Sequence, residues 1–543
     1  MKKALFLIVL YSVILLVSEL LYRIVFSVPV LPVGKLAENY AFILVFVALL
    51  YFVKSRIVQY LLLAFFAMSF IGNNIHYAAY QGWITPMNLY LLFKEWHEVV
   101  GASSSLIEKT LFPALWGLLE VILISSILCF QRKRSWIADG AFFLLIIFGL
   151  ARVALDESRS IISPKLSYSR IKTNYLSLSS FVGHTLPYKF LHLSVVPDYQ
   201  MAEPQVASKP KVRNIIFLLG ESESAKHVSY FGYNFADRQT DRQRDRQRET
   251  TPFLTRFAQS DAQPIVKETY SAGLLTAIAL PSLFNAIEYP NGLSQISKGT
   301  TNLFRLAKQQ GYQTYFYTAQ SQEDMDLLNL LGKTWIDELK YPTDLGFGFK
   351  QHMSDRELLP LLKKINLQEG NHFIILHQRG SHMPYGKILT AEQKVFGDKT
   401  ANDEYDNTIY ATDQLMKAII HYLEQQSAQD WLFVYTSDHG QFVTPERHIQ
   451  ATMDEDNYLV PTVLYTPDRV LQQQLHQDFS QCDRLFHQQI STLLLNLFGY
   501  KQEISSCKLG YVNNNDLTGD QGYLKISPPY TNFVMPTMMK DKN

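Results

Sequence analysis

The stretch RNIIFLLGE at residues 213–221 decides the fold of the carboxyl-terminal part of the chain. It is an apolar run of strand length that ends in Gly220 and the carboxylate Glu221. A run without polar positions between its ends predicts a strand that is buried on both faces of a parallel sheet. In open α/β sheets, ligands bind at the carboxyl ends of the strands. We therefore expect the chemistry of this protein to begin at Glu221.

Two further apolar runs end in the same way. HFIILH at residues 372–377 continues into QRGSH, and WLFVYT at residues 431–436 continues into SDHG. Helical patterns alternate with these apolar runs, which predicts βαβ units and a mainly parallel sheet. Because parallel strands end at the same edge of a sheet, we expect the polar groups after the three runs to meet there.

The first 155 residues contain five long apolar runs. A helix needs about 20 apolar residues to cross the hydrocarbon of a bilayer, and two of the runs reach that length only with their flanks. The sequence therefore predicts a transmembrane domain of five helices over residues 1–155. The runs cover residues 4–26, 40–53, 57–71, 111–130 and 136–155.

Basic residues predict how this domain lies in the membrane. Three basic clusters fall on one side if the amino terminus is cytoplasmic, which satisfies the positive-inside rule. Five crossings then place everything after residue 155 outside the cytoplasm. The alternative, a cleaved signal peptide, is disfavoured because the first run is long and no A-x-A site follows it. The clusters are Lys2 with Lys3, Lys54 with Arg56, and residues 132–134.

The rest of the chain divides into a linker and one large domain. Residues 156–212 lack strong periodicity and predict a bridge at the membrane surface that contains a short helix. Residues 213–543 form the predicted catalytic domain. Inside it, residues 236–250 repeat the unit Asp-Arg-Gln, and this low-complexity segment predicts an exposed loop. Because repeats of the tetranucleotide GACA encode Asp-Arg-Gln-Thr, we also hypothesise that slippage in the gene switches its expression.

The tetrapeptide SDHG provides a candidate metal site. Asp438 and His439 follow the third apolar run directly, and Gly440 permits the turn that would let both side chains face one ion. With Glu221 they form a set of two carboxylates and one imidazole, which suits zinc, or manganese in a more oxygen-rich site. A single DHG tripeptide is weak evidence, but three polar strand ends form a more specific pattern.

These strand ends and the five apolar runs resemble the membrane phosphoethanolamine transferases of the alkaline phosphatase and sulfatase superfamily. The resemblance covers nearly the whole chain. It implies a five-helix transmembrane bundle followed by an α/β sulfatase-like domain with a mainly parallel sheet. It also implies a metal-dependent phosphotransferase that uses phosphatidylethanolamine as its donor.

The resemblance assigns roles to individual residues. It implies that Glu221, Asp438 and His439 are metal ligands. The segment GLLTAIALP matches the nucleophile motif G-x-x-T-A-x-x-x-P, which implies that Thr276 binds the metal and carries the phosphoethanolamine group. A threonine hydroxyl is a poor nucleophile until a cation stabilises its alkoxide.

Two histidines complete the implied site. His382 ends the motif H-Q-x-G-x-H, here HQRGSH, and is implied to act as a general acid or to bind the substrate phosphate. His448 follows DHG at a shorter distance than the family usually shows, and is implied to bind substrate. We interpret His377 as an ordinary strand histidine. Glu223, His227 and Gln320 are further candidates for the pocket that spacing alone does not assign.

Cysteine usage bears on the acceptor. Relatives that modify lipid A carry cysteines around the nucleophile helix and several disulfides, whereas this chain has Ala272 and Ser282 there and only three cysteines. Of these, Cys482 and Cys507 could pair in an oxidising compartment. The resemblance therefore implies a cysteine-poor enzyme whose acceptor is a core heptose or another sugar of lipooligosaccharide. Lipid A phosphate and periplasmic glucan remain alternatives.

Other functions remain open at this point. On the same fold, the protein could be a phosphoglycerol transferase or a phosphohydrolase. It could also be a membrane sensor or transporter with a degenerate sulfatase-like module, although Glu19 and Glu120 are among few ionisable residues in the spans. The net charge of +1 argues against a nucleic-acid partner. We expect a monomer.

Overall fold

The computed structural model divides into two compact units, residues Met1–Ser194 and Val195–Asn543. It describes most of the chain, and every structural statement below concerns the described residues. These are residues 2–29, 31, 33–80, 83–84, 86, 89, 96–131, 134–155, 167–186, 196–233, 248–325, 327–444, 448–449, 453–514, 516–520 and 522–534.

The first unit is helical. Five of its helical segments are long and apolar enough to cross a membrane, which confirms the predicted number of spans. The third span is built from two helices joined by a π-helical turn at Met68–Gly72, and the fourth ends in a 3₁₀ turn at Ser126–Phe130. The helices are α1 (Lys2–Val25), α2 (Val33–Phe52), α3 (Arg56–Ala67), α4 (Asn73–Tyr80), α5 (Trp96–Ser125), α6 (Trp136–Leu155) and α7 (Arg170–Ser180).

A buried ion network joins α7 to two of the spans. The Arg170 guanidinium donates to both carboxylate oxygens of Glu120 at 2.8 Å and to Glu19 at 2.7 Å. Arg23 also donates to Glu19, at 2.9 Å. Two arginines thus compensate two glutamates that would be costly to bury alone. Part of the predicted surface linker is therefore a helix that belongs to the spanning unit.

The second unit is built around a sheet of eight strands. In the sheet order β10-β2-β9-β6-β1-β5-β3-β4, only β9 runs antiparallel to its neighbours, so the predicted mainly parallel sheet is confirmed. A three-stranded antiparallel sheet and a two-stranded pair complete the unit. The strands are β1 (Asn214–Gly220), β2 (Ile265–Tyr270), β3 (Tyr312–Thr318), β4 (Glu338–Lys340), β5 (Asn371–His377), β6 (Trp431–Ser437), β7 (Phe442–Val443), β8 (His448–Ile449), β9 (Leu459–Tyr465), β10 (Arg484–Phe486), β11 (Gly510–Asn513), β12 (Tyr523–Ser527) and β13 (Tyr530–Val534).

Helices cover both faces of the large sheet. Successive residues of β1 point to opposite faces, so that Phe217 packs with Phe284 in one core and Ile216 packs with Ile420 in the other. All seven residues of β1 are buried, as its apolar sequence predicts. The helices are α8 (Pro252–Ala258), α9 (Thr276–Phe284), α10 (Leu293–Lys298), α11 (Leu303–Gln309), α12 (Leu328–Leu331), α13 (Leu358–Leu362), α14 (Ala401–Glu424), α15 (Glu455–Tyr458), α16 (Arg469–Phe479) and α17 (His487–Leu497).

The repeat segment is attached at both flanks. Tyr233, before it, donates to Asp406 at 3.0 Å, and Arg248 donates to the same Asp406 oxygen at 2.8 Å. Residues 234–247 lie outside the described residues. The expectation of an exposed loop as far as residue 250 was wrong at its end, because Arg248 forms an ion pair with the buried Asp406 and Thr250 is buried.

The two extramembrane cysteines of the sequence form a disulfide. Cys482 follows α16 and Cys507 precedes β11, and the bond joins them. Cys129 is free and exposed. The pairing that the sequence left open is therefore present.

Candidate active site

The candidate site lies at the carboxyl ends of three adjacent parallel strands. In the register of the sheet, Gly220 of β1 pairs with Ser437 of β6, and Leu219 pairs with His377 of β5. Glu221 and Asp438 are the next residues on their strands, so parallel pairing brings two carboxylates together that are more than 200 positions apart in the chain. Both residues are buried.

A turn after β1 orients the first carboxylate. Ser222 has a φ of 58°, a left-handed conformation that is uncommon for a residue with a Cβ. The turn lets the Ser222 N–H donate to Asp438 Oδ1 at 2.8 Å. Tyr405 of α14 supports it, since its hydroxyl donates to Ser222 O at 2.7 Å and accepts from Ser224 N at 2.9 Å. Such strain at a strand end is typical of functional sites.

Thr276 enters the site as the first residue of α9. Its Oγ1 lies 3.2 Å from Glu221 Oε1 and 3.2 Å from His439 Nε2. Leu275 before it is extended, so the chain turns into the helix at the threonine itself. A helix amino terminus carries free N–H groups and positive potential, which favours a phosphate group at this place.

Backbone groups bind one ligand atom of Asp438 and one of His439, and the second ligand atom of each residue is left to the site. Two backbone N–H groups, of Ser222 and His439, donate to Asp438 Oδ1, whereas the buried Oδ2 has no hydrogen-bond partner in the described structure. His439 Nδ1 lies 2.7 Å from Gly440 O. Because a carbonyl only accepts, Nδ1 carries the proton and the lone pair of Nε2 is available to a cation.

The three predicted ligands form one compact group. Ligand atoms of Glu221, Asp438 and His439 all lie within 4.8 Å of one another. Burial, and after it the charge of Asp438, raise the pKa of Glu221 to about 8. Two buried carboxylates facing each other are uncompensated unless a proton or a cation lies between them. The donor set of two carboxylates, one imidazole and one hydroxyl fits a zinc ion, and also a manganese ion.

The structure does not bring the other two predicted histidines into this group. His382 Nδ1 lies 2.7 Å from Met383 O, and no described hydrogen bond or ion pair joins His382 to Glu221, Thr276, Asp438 or His439. Its loop is nevertheless attached to the site, since Ser381 N donates to Glu221 O at 2.9 Å. The backbone of His448 lies in β8, paired with Val443, and its side chain is outside the described part.

Sequence reasoning missed two buried histidines that border the site. His377 Nε2 lies 3.9 Å from Glu221 Oε2 and has no hydrogen-bond partner among the described residues. His487 Nδ1 accepts from the N–H of Ala272 at 3.1 Å and so fixes the loop before Thr276. Burial lowers the pKa of both imidazoles to about 4. The strand-end position was a signal for His377, whereas no local pattern marks His487.

The three candidates that spacing alone did not assign have different surroundings. Glu223 is buried behind the turn, its N–H donates to Ser437 Oγ at 2.9 Å, and burial raises the pKa of its carboxyl to about 8. Gln320 donates to Gln378 O in the loop after β5. His227 lies instead in the Asp406 cluster, with Nδ1 at 2.9 Å from Asp406 Oδ1.

Fold and site together define an α/β domain with a candidate metal-dependent catalytic centre at the carboxyl edge of its sheet. The chain belongs to the sulfatase family, whose model matches residues 213–500, more than half of the chain. This confirms the superfamily that the strand-end motifs predict.

Several characterised proteins are similar to this chain. Kdo(2)-lipid A phosphoethanolamine 7''-transferase of Salmonella typhimurium is 22% identical over 282 residues, which cover 48% of this chain and 46% of the relative. Phosphatidylethanolamine transferase Mcr-1 of Escherichia coli is 24% identical over 265 residues, 45% of this chain and 46% of the relative. The chain thus spans about half the length of these curated relatives.

A solved structure is similar over most of the chain. The integral membrane lipooligosaccharide phosphoethanolamine transferase A of Neisseria meningitidis aligns with 92% of this chain and 95% of its own, at 17% identity and a TM-score of 0.45.

Proposed function

We propose that the protein is a monomeric phosphoethanolamine transferase of the bacterial inner membrane, with the domain of residues 213–543 in the periplasm. The observation that carries the proposal is the position of Thr276, whose hydroxyl at a helix amino terminus lies 3.2 Å from both Glu221 and His439. The names of the similar proteins support this activity. The basic clusters between the spans support the orientation.

Glu221, Thr276, Asp438 and His439 would hold the zinc or manganese ion. The unpartnered Asp438 Oδ2 and the free lone pair of His439 Nε2 support this assignment. When bound, such an ion stabilises the alkoxide of Thr276 and neutralises charge on the phosphoryl oxygens.

In the first half-reaction, Thr276 Oγ1 attacks the phosphorus of phosphatidylethanolamine. The Oγ1–P bond forms, the bond between phosphorus and the diacylglycerol oxygen breaks, and the hydroxyl proton of Thr276 is released to water. His382 donates the proton that diacylglycerol needs to leave as an alcohol. Because His382 Nδ1 is bound to Met383 O, its Nε2 is the nitrogen that exchanges this proton.

In the second half-reaction, a hydroxyl of the acceptor attacks the phosphorus of the threonine adduct. The P–Oγ1 bond breaks, Thr276 Oγ1 takes a proton from water, and His382 takes the proton of the acceptor hydroxyl, which restores the proton that His382 gave to diacylglycerol. The acceptor is a core heptose or another sugar of lipooligosaccharide, and His448 binds it. Ala272 and Ser282, where relatives that modify lipid A carry cysteines, support a sugar hydroxyl over lipid A phosphate as the acceptor. A periplasmic glucan is the other alternative.

The ion network of the first unit favours a transferase over a transporter. Ionisable groups that serve a translocation path of ions or protons are open to a water-filled cavity. Glu19 and Glu120 are instead bound by Arg170 in a closed, buried arrangement. A non-catalytic sensor module is disfavoured by the intact group around Thr276, since a degenerate site has no reason to keep it.

Mass spectrometry of the peptide that contains Thr276 tests the proposal. The purified full-length protein is incubated separately with phosphatidylethanolamine and phosphatidylglycerol, quenched and digested. We expect a phosphoethanolamine adduct on Thr276 with the first lipid, none with the second, and none in Thr276→Ala. A glycerophosphate adduct would instead indicate a phosphoglycerol transferase, and no adduct with either lipid would contradict the covalent mechanism. Mass spectrometry of lipooligosaccharide from cells with and without the gene identifies the acceptor.

A further inference from the structure

Four tyrosines form a continuous row on the second unit. The ring centroids of Tyr199 and Tyr289 are 3.9 Å apart, those of Tyr289 and Tyr511 are 5.9 Å apart, and those of Tyr511 and Tyr523 are 5.7 Å apart. The chain segments that supply them are widely separated in sequence. We call this row the tyrosine strip.

The strip lies on the outer face of the three-stranded sheet. Alternation along β11 and β12 buries Val512 and Leu524, whereas Tyr511 and Tyr523 belong to the opposite, partly exposed face. Tyr199 and Tyr289 extend this face and are 36% and 40% exposed. A contiguous run of partly exposed aromatic rings on a soluble domain marks an interaction surface more often than a single exposed ring does.

Asn513 connects the strip to the loop before Thr276. Its carbonyl accepts from Leu274 N at 3.0 Å, its N–H donates to Ala272 O at 3.1 Å, and its side chain donates to Pro290 O at 2.7 Å, next to Tyr289. Asn513 also pairs with Tyr523 across the sheet. Since Thr276 is two residues after Leu274, the Cα atoms of Thr276 and Tyr523 lie within about 20 Å of each other.

We propose that the tyrosine strip binds the neutral sugar residues of an oligosaccharide acceptor and so presents one of its hydroxyls to Thr276. A sugar ring has apolar C–H faces and polar hydroxyl edges. A tyrosine offers the matching pair, an apolar ring face and a hydroxyl group, at a low cost in side-chain entropy. Four successive aromatic rings can contact several successive sugar rings of an oligosaccharide. This inference rests on the proposed function and defines the acceptor class of the same site.

Charge near the strip favours a saccharide over a lipid surface. Glu288 directly precedes Tyr289, and Asp198 directly precedes Tyr199. Burial, then Tyr289 and Glu288, raise the pKa of Tyr199. Carboxylates repel an anionic membrane surface. Glu288 already accepts from Ser505 and Asp198 from Ser294, but a carboxylate has about four acceptor positions and can also accept from a sugar hydroxyl. Lys525, opposite Tyr511 on β12, supplies a donor on the same face.

The test separates the two half-reactions in the full-length protein. Tyr289→Ala, Tyr511→Ala and Tyr523→Ala are compared with Tyr530→Ala, which removes a 71% exposed tyrosine of the same small sheet outside the strip. The acceptors are a heptose-containing core oligosaccharide released by mild acid and a methyl heptoside. We expect each strip variant to raise KM for the oligosaccharide about tenfold, with kcat, KM for the methyl heptoside and the rate of Thr276 adduct formation unchanged. Tyr289→Phe should keep most of the affinity.

Two results would overturn the inference. Unchanged KM for the oligosaccharide in all three strip variants would exclude a saccharide surface. Adduct formation that slows only with donor in vesicles, and not in detergent, would show that the strip instead contacts the membrane. Saturation-transfer NMR of the oligosaccharide on Thr276→Ala measures binding without turnover. If the wild type forms no adduct but this binding depends on the strip, the proposed function fails while the inference stands.

Discussion

Thr276 Oγ1 lies 3.2 Å from His439 Nε2, although the two residues are 163 positions apart in the chain. One stands at the start of a helix and the other in the turn after a strand. Their contact exists because β1 and β6 are parallel neighbours and α9 begins at the same edge of the sheet. It places the partly exposed hydroxyl of Thr276 against one imidazole and two carboxylates that are buried.

Replacing Thr276 separates its chemical role from a structural one. Thr276→Ala should lower the transfer rate more than about a thousandfold, because no other hydroxyl replaces the attacking oxygen. Thr276→Ser, which keeps Oγ, should retain measurable transfer. Both variants should melt within a few degrees of the wild type in circular dichroism. Transfer at the wild-type rate by Thr276→Ala would contradict the nucleophile assignment.

Glu221→Gln should lower the cation content. The change removes one of two carboxylates that face each other, and with it much of the charge that holds a dication. Elemental analysis of the purified protein should show about one cation per chain in the wild type and a small fraction of that in the variant. Glu268→Gln, which alters a carboxylate paired with Arg484, is the control and should keep its cation. Equal cation contents in both variants would place the metal elsewhere.

Chelation should stop transfer reversibly. The cation that this group would hold activates the Thr276 hydroxyl. Prolonged dialysis against a strong chelator should therefore abolish adduct formation on Thr276. Zinc or manganese should restore it, and the more effective ion identifies the metal that the site prefers. Full activity after complete removal of metal would contradict the assignment of the site.

Asp413 should make stability depend on pH. It accepts from the N–H groups of Phe253 and Leu254 at the start of α8, and burial raises its pKa from 3.8 to about 6. Its contribution to the free energy of unfolding is therefore fully present below pH 3.8 and is lost as pH rises through about 6. The loss amounts to roughly 3 kcal/mol.

Denaturant unfolding across this range measures the effect. Asp413→Asn cannot ionise, so its free energy of unfolding should change less between pH 3.8 and pH 6 than that of the wild type. The dependence of the free energy of unfolding on pH is compared rather than its absolute value, because asparagine keeps only one of the two acceptor oxygens. The same pH dependence in the wild type and in Asp413→Asn would show that Asp413 does not titrate in this range.

The number of Asp-Arg-Gln units should have little effect on stability. Tyr233 and Arg248, which flank residues 234–247, both bind Asp406, so the ends of this segment are held together whatever its length. Doubling a loop costs only about 0.6 kcal/mol. Removing or adding whole units should therefore leave the melting temperature and the transfer rate nearly unchanged.

Asp406→Asn is the contrasting variant. It removes the buried carboxylate that Arg248, Tyr233 and His227 share, although Arg248 keeps its ion pair with Asp403, and should destabilise the domain by about 3 kcal/mol. If deletion of repeat units destabilises the protein as much as Asp406→Asn does, the segment contributes contacts of its own.

The strands of the large sheet were predictable where their sequence is apolar throughout. β1, β5 and β6 begin and end within one residue of the runs that predict them, because strands buried on both faces need continuous apolar sequence. The antiparallel direction of β9 was not predictable, since direction is set by the connections and not by the composition of a strand.

The site was predictable where the groups follow the strands directly. Their position directly after an apolar run was enough to mark three residues as candidates: Glu221, Asp438 and His439. The groups that orient them are not marked in this way, because Tyr405 reaches Ser222 from the second turn of α14 and His487 reaches Ala272 from the start of α17. These contacts depend on how helices pack against the sheet, which no local pattern in one sequence specifies.

The most direct test is anomalous diffraction at the zinc absorption edge from crystals of the full-length protein grown with zinc. We predict one strong peak within bonding distance of Glu221, Thr276 Oγ1, Asp438 Oδ2 and His439 Nε2. A peak elsewhere, or a structure with these four side chains apart and no cation among them, would contradict the account.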